Sequence, residues 1–205
     1  MICNGVDSSF FTPDTQARTK EREKLGFLPE ETVFCCVGRL AKEKNHTVLL
    51  HAFASLYAKN PLVRLVLVGD GPEKPILEAF LEKSGLKKAV LLVGEVTDVR
   101  PYLRAADVFV LPSLIESLPL ALLEACACGL PALVSKTGDM PLVVAHGESG
   151  FVFNAKDPIV LASLMAELVE NTDLRLKMGK NARTRTEKNY PPAEPKYLEI
   201  YTKIK

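Results

Sequence analysis

A doubly wound α/β domain built on a parallel sheet is the architecture this sequence predicts, and three observations carry the prediction. Short, almost wholly apolar runs alternate with longer amphipathic stretches along most of the chain. Those runs are apolar at both odd and even positions, as strands are when helices cover both faces of their sheet. The composition, 47% hydrophobic and 25% charged over 205 residues, is that of an ordinary globular protein able to bury roughly 70% of its unfolded surface.

Taken in order, strands are expected at 33–37, 65–68, 90–93, 108–111 and 132–135, with a short sixth at 151–153. Between the first two, 45–58 carries Val48, Leu49, Ala52, Phe53 and Leu56 at the spacing of one helix face. A Gly-Asp-Gly-Pro turn precedes a helix at 73–84, with Pro72 suited to its first turn. A short helix is expected at 99–105, and another at 119–128 that Gly129 would end as its C′ residue. The stretch TGDMPLVVAHGESG reads as a loop before the sixth strand. Helices at 158–171 and 173–188 follow, YPPAEP breaks the pattern, and a last helix spans 196–204. Residues 1–189 are expected to form one Rossmann-like domain, and 190–205 a Pro-containing segment with an amphipathic helix that would dock on a missing N-terminal domain.

Several function classes are disfavoured at once. Twenty-six basic against 25 acidic residues leaves a net charge of +1, so there is no basic excess to attract nucleic acid. Pro, Ser, Glu or Gly interrupts every apolar stretch before the roughly 20 residues of a membrane span. The N-terminus lacks the basic start and long apolar core of a secretory signal. Five cysteines without C-x-x-C spacing read as small buried hydrophobes in a reducing cytoplasm. His46, His51 and His146 form no ligand pattern, and no metal site is expected.

In doubly wound sheets the ligand lies beyond the carboxyl ends of the strands, so the loops there are the candidate binding elements. The first, Gly38 to Lys44, joins a glycine that lets a ligand approach to two cations, Arg39 and Lys44, suited to a diphosphate. By itself it reads rather as a solvated charged turn. The second, Gly69-Asp70-Gly71-Pro72, lacks a full dinucleotide fingerprint and reads as a tight strand-to-helix turn. The third, Gly94 to Thr97, offers backbone groups around Val96 to a base edge. In the fourth, Ser117 is the expected N-cap of a helix whose dipole and free amides would face an anion. Glu116 would precede that helix and Glu124 lie about two turns inside it. A carboxylate in the apolar run LALLEACA needs hydrogen-bond donors, either sugar hydroxyls or a neighbouring Lys or Arg.

In combination the loops resemble the donor-binding, C-terminal half of the retaining family-4 glycosyltransferases, which have the GT-B fold. NGVD at Asn4 to Asp7, GRLAKEK at Gly38 to Lys44, GDGP, GEV and the E-x7-E element from Glu116 to Glu124 follow one another in the family's order. The resemblance runs from about Asn4 to Asn189. It implies that Arg39 and Lys44 hold the donor diphosphate and stabilise charge on the leaving nucleotide. It further implies that Glu116 binds hydroxyls of the transferred sugar and Glu124 those of the ribose. Backbone groups of Gly38 and Val96 would contact donor and base, and amides near Ser117, Leu118 and Leu120 the phosphates. The donor would be a UDP- or GDP-sugar used as substrate, with no cofactor and no metal. The acceptor would be a glycan or lipid-linked sugar, presented by a missing N-terminal domain, in the cytoplasm or at the inner membrane surface.

One element departs from the family's Gly-Gly-x-Pro-Glu, reading Gly138-Asp139-Met140-Pro141-Leu142, so a different sugar-side pocket is expected. The stripe of Tyr197, Ile200, Tyr201 and Ile204 would dock on a partner domain, pack on its own domain or touch a membrane surface. Three alternatives to the transferase half stay open: a non-catalytic nucleotide-binding module, half of a GT-B sugar-nucleotide epimerase, and a glycoside hydrolase using Glu116 with Glu124. The last has no use for a diphosphate site.

Overall fold

The computed structural model describes residues 4–192; the expected helix at 196–204 lies outside them. Six strands, β1 (Thr32–Val37), β2 (Val63–Val68), β3 (Val90–Gly94), β4 (Val108–Leu111), β5 (Ala132–Ser135) and β6 (Gly150–Phe153), form one sheet ordered β3-β2-β1-β4-β5-β6. Every neighbouring pair is parallel. Cys35 and Cys36, adjacent on β1 and so on opposite faces, are both fully buried, which shows that the sheet is covered on both sides. With Cys126 and Cys128 they are buried free thiols.

Among the described residues eight α-helices flank the sheet: α1 (Thr15–Leu25), α2 (His46–Tyr57), α3 (Lys74–Lys83), α4 (Arg100–Ala105), α5 (Leu120–Ala127), α6 (Met140–Val143), α7 (Pro158–Glu170) and α8 (Thr172–Asn189). Right-handed crossovers put α2 and α3 on one face and α4 and α5 on the other. Accordingly α2 packs with α7, α1 with α4, and α5 with α8. The stripe on α2 is used much as its spacing predicts: Leu49, Ala52, Phe53 and Leu56 are buried and Val48 half-buried. Among the described residues, no helix is long and apolar enough to cross a membrane.

Two expectations change, and one element is new. α3 begins at Lys74 and carries Pro75, not Pro72, in its first turn. Pro72 stays in the preceding turn because the backbone there presses against the first loop: a Cβ on Gly71 would lie 2.5 Å from the Leu40 carbonyl oxygen. The stretch expected as a loop before β6 contains α6, whose Met140 is buried. The new element is α1, whose sequence TQARTKEREKL has no apolar stripe to announce it.

Charge docks α1 instead of apolar packing. Arg22, 6% exposed, donates to the Ala105, Leu28 and Glu31 carbonyls and to Asp107, and Arg18 reaches Asp107 at 2.8 Å. Asp107 also accepts from the Val33 amide at 2.8 Å, so one carboxylate ties α1 to the starts of β1 and β4. The helix is started by the Asp14 side chain, which accepts from the Ala17 amide at 2.9 Å, and ended by Gly26 at φ 73°. Asp14→Ala is expected to cost about 1 kcal/mol, read as a lower urea midpoint with an unchanged slope.

Candidate functional site

Strand order reverses between β1 and β4, since the chain leaves β1 toward β2 and β4 toward β5. The crevice at such a switch point is where doubly wound sheets bind ligands. Here its walls are the loop after β1, residues 38–45, and the loop after β4, residues 112–119.

The first wall is anchored from behind. Leu40, 1% exposed, takes Asp70's carbonyl with its amide (2.9 Å) and gives its own carbonyl to the Glu73 amide (2.8 Å). Glycines lace it to the loops after β2 and β3: Gly69 donates to the Gly94 carbonyl at 2.8 Å, and a Cβ on Gly69 would lie 2.1 Å from the Gly38 oxygen. The three loops that sequence reading weighed singly are therefore one surface. With the anchor set, the exposed Arg39 makes no ion pair among the described residues. Asp70, on the next loop, is engaged with Lys74 at 2.8 Å, and that bond with the Gly71 amide lowers its pKa.

Across the crevice, Lys44 and Glu116 meet in an ion pair, with side chains 21% and 10% exposed. Glu116 also accepts from the Ser113 hydroxyl at 3.0 Å, and the Ser113 carbonyl is held by the Ser135 hydroxyl at 2.5 Å. Gly138, φ 53°, packs against this loop so closely that a Cβ would lie 2.2 Å from the Glu116 carbonyl oxygen. The Asp139 amide then caps the Ser117 carbonyl at 2.9 Å. The glycine kept from the family's Gly-Gly-x-Pro-Glu element is thus the one this packing demands. Asn4, the first residue of NGVD, donates to the Leu118 carbonyl at 3.0 Å.

Ser117 is not the N-cap that was expected. α5 starts at Leu120, its N-cap is Pro119 in an extended conformation, and no side chain caps it. The physical reason is the proline, which disfavours helical backbone at Leu118 and so delays the helix until after itself. Ser117 is exposed, Leu118 half-buried and Leu120 half exposed at the crevice. The first-turn amides of α5 consequently face the mouth without a side-chain acceptor. The later start also moves Glu124 to the fifth residue of α5, about one turn in rather than two.

Glu124 is half-buried, and burial raises its carboxyl pKa. It forms no ion pair with any described residue, so its carboxylate is available to hydroxyl donors. Val96 is half-buried at the far end of the surface, after β3. Two strand spacings, about 10 Å, separate β3 from β1, a span suited to an elongated ligand. Beneath the crevice, burial pushes the Cys36 thiol up to about 12, so it is inert. No group of three or more His, Cys, Asp or Glu placed to hold a metal ion occurs among the described residues.

The structure therefore brings Gly38, Arg39, Lys44, Glu116, Ser117, Leu118, Leu120 and Glu124 to the mouth at the switch point, with Val96 at its outer edge. Sequence reading missed Ser113, which orients Glu116, and Asn45, discussed below. Asn45 carried a partial signal, because Asn is among the few non-glycine residues that visit the left-handed region.

The family model described as glycosyl transferases group 1 matches residues 17–185. A D-inositol 3-phosphate glycosyltransferase of Corynebacterium jeikeium is 34% identical over 188 residues, covering 87% of this chain and 45% of that protein. The chain spans about half the length of the curated relatives it matches. Among solved structures, Anabaena HepE in complex with UDP superposes with a TM-score of 0.88 at 24% identity, over 99% of this chain and 56% of that one. The C-terminal domain of LpcC, a group 1 family protein of Francisella tularensis, gives 0.82 at 25% identity, over 91% and 99%.

Proposed function

Since this chain belongs to the glycosyl transferases group 1 family and has the Rossmann-like fold of its C-terminal domains, we propose that it binds the nucleotide-sugar donor of a retaining glycosyltransferase. The observation that carries the reading is the charge arrangement at the switch point: Arg39, which makes no ion pair with a described residue, the Lys44–Glu116 pair and the start of α5, which no described side chain caps, converge on one crevice.

In this reading the diphosphate lies between Arg39, Lys44 and the α5 amides. Charge grows on the leaving nucleotide as the sugar–phosphate bond breaks, and those fixed donors stabilise it where it develops. Glu116, held by Ser113 and Lys44, faces the sugar, and Glu124 accepts from the ribose. The cations supply the countercharge, so the reaction proceeds without a divalent ion and resists chelators. UDP is the favoured nucleotide, because HepE, which shares the fold, was crystallised with it. The acceptor, a glycan or lipid-linked sugar, approaches on a second domain of the length the relatives carry, and transfer requires both. The site then works in the cytoplasm, at the inner membrane surface when the acceptor is lipid-linked.

Calorimetric titration with UDP, GDP, ADP and their glucose conjugates tests the reading. UDP is expected to bind, and Arg39→Ala to weaken it roughly 10- to 100-fold, the worth of a charge-assisted hydrogen bond. Absence of binding by all three nucleotides at millimolar concentration would sink it.

A further inference from the structure

We propose that Asn45 is a positioning residue: it clamps three strand-end loops together so that Lys44 stands opposite Glu116. Among the described residues it is the one non-glycine at positive φ, 56°. That conformation costs an L-residue about 1 kcal/mol and persists where the surroundings over-determine it. Its Nδ2 group does so by donating twice, to the Pro112 carbonyl at 3.1 Å and to the Ala155 carbonyl at 2.7 Å. Pro112 directly follows β4 and Ala155 follows β6, while Asn45 itself closes the loop after β1.

The backbone of Asn45 works at the same junction. Its amide donates to the Lys42 carbonyl, closing a 3-10 turn over Lys42–Lys44, and its carbonyl receives the Val48 amide as α2 begins. Lys44 is thus the last residue of a turn whose end is pinned to the loops after β4 and β6. The Leu114 amide adds a parallel tie to the Glu43 carbonyl at 2.7 Å. Without these ties only a flexible four-carbon stem would place the ammonium.

The amide side chain is the part that matters. Glycine adopts the same φ at no cost but has no donor, and aspartate would set a carboxylate against two carbonyl oxygens. Asn45→Gly therefore separates conformation from clamp. The binding arm of the test rests on the donor-site reading above; an exchange arm does not.

Amide hydrogen exchange is measured on wild type and Asn45→Gly, and UDP affinity on both, on Lys44→Met and on the double variant. In Asn45→Gly the Leu114 amide is expected to exchange at least about tenfold faster while Val110, within β4, keeps its protection. UDP affinity is expected to fall about tenfold in Asn45→Gly, yet less than about twofold further when Lys44→Met is already present, because the clamp acts through that lysine. Unchanged Leu114 exchange, or wild-type behaviour of Asn45→Gly throughout, overturns the proposal, as do effects that simply multiply in the double variant. If the wild-type chain binds no nucleoside diphosphate, the donor reading falls and the exchange result alone decides the clamp.

Discussion

Lys44→Met is expected to weaken UDP binding about a hundredfold or more, the effect of breaking a largely desolvated charge pair at a binding site. Two losses combine. A cation leaves the diphosphate position, and Glu116, 10% exposed in its side chain, becomes an uncompensated carboxylate beside an anionic ligand. Leaving that charge buried without its partner is also expected to lower stability by about 3 kcal/mol. Adding Glu116→Gln should recover most of the stability, since an amide can still meet the Ser113 hydroxyl, but should not restore affinity. Urea unfolding and calorimetry on the two single variants and the double variant separate these effects. Affinity within threefold of wild type in Lys44→Met would remove the lysine from the donor site.

The second large effect is on acid stability. His46, 3% exposed and with Nδ1 unpaired, is pushed from 6.5 down to about 4, first by burial and then by Lys44, with Glu43 opposing. Its folded-state pKa lies below its unfolded one, so the unfolded chain binds the extra proton. Stability is then unaffected above about pH 6.5 and falls as pH drops from there toward 4, by roughly 3 kcal/mol in all. Glu124, whose carboxyl pKa is raised by burial, works in the opposite direction through the carboxylate range. The informative measurement is therefore the difference between His46→Gln and wild type in urea midpoints from pH 7 to pH 4. The variant should show a flatter acid decline; parallel curves would mean that His46 does not titrate across this window.

Much of the fold was legible because it rests on local signals. Runs such as VFVL at β4 and ALVS at β5 coincide with their observed strands, since a continuous apolar run bounded by breakers has few other uses in an alternating pattern. Gly129, at φ 79° after α5, ends that helix as a C′ glycine should. What escaped was held by tertiary contact. α1 carries no stripe because Arg18 and Arg22 dock it through Asp107, more than 80 residues away. The start of α5 was misjudged because a capping serine and a proline compete within three residues, and the proline's steric restriction prevailed.

For the site, the residue types and their order along the chain were enough to select the mouth of the sheet and a glycosyltransferase family. Sequence by itself determined which side chains are available: Arg39 and Lys44 after the first strand, Glu116 and Glu124 after the fourth. Only the tertiary structure decided that Lys44 pairs with Glu116 while Arg39 and Glu124 make no ion pair with a described residue, and that Asn45 joins three loops. Pairing across 72 residues depends on which strands become neighbours at the switch point, and that is set by packing the whole sheet rather than by any local preference.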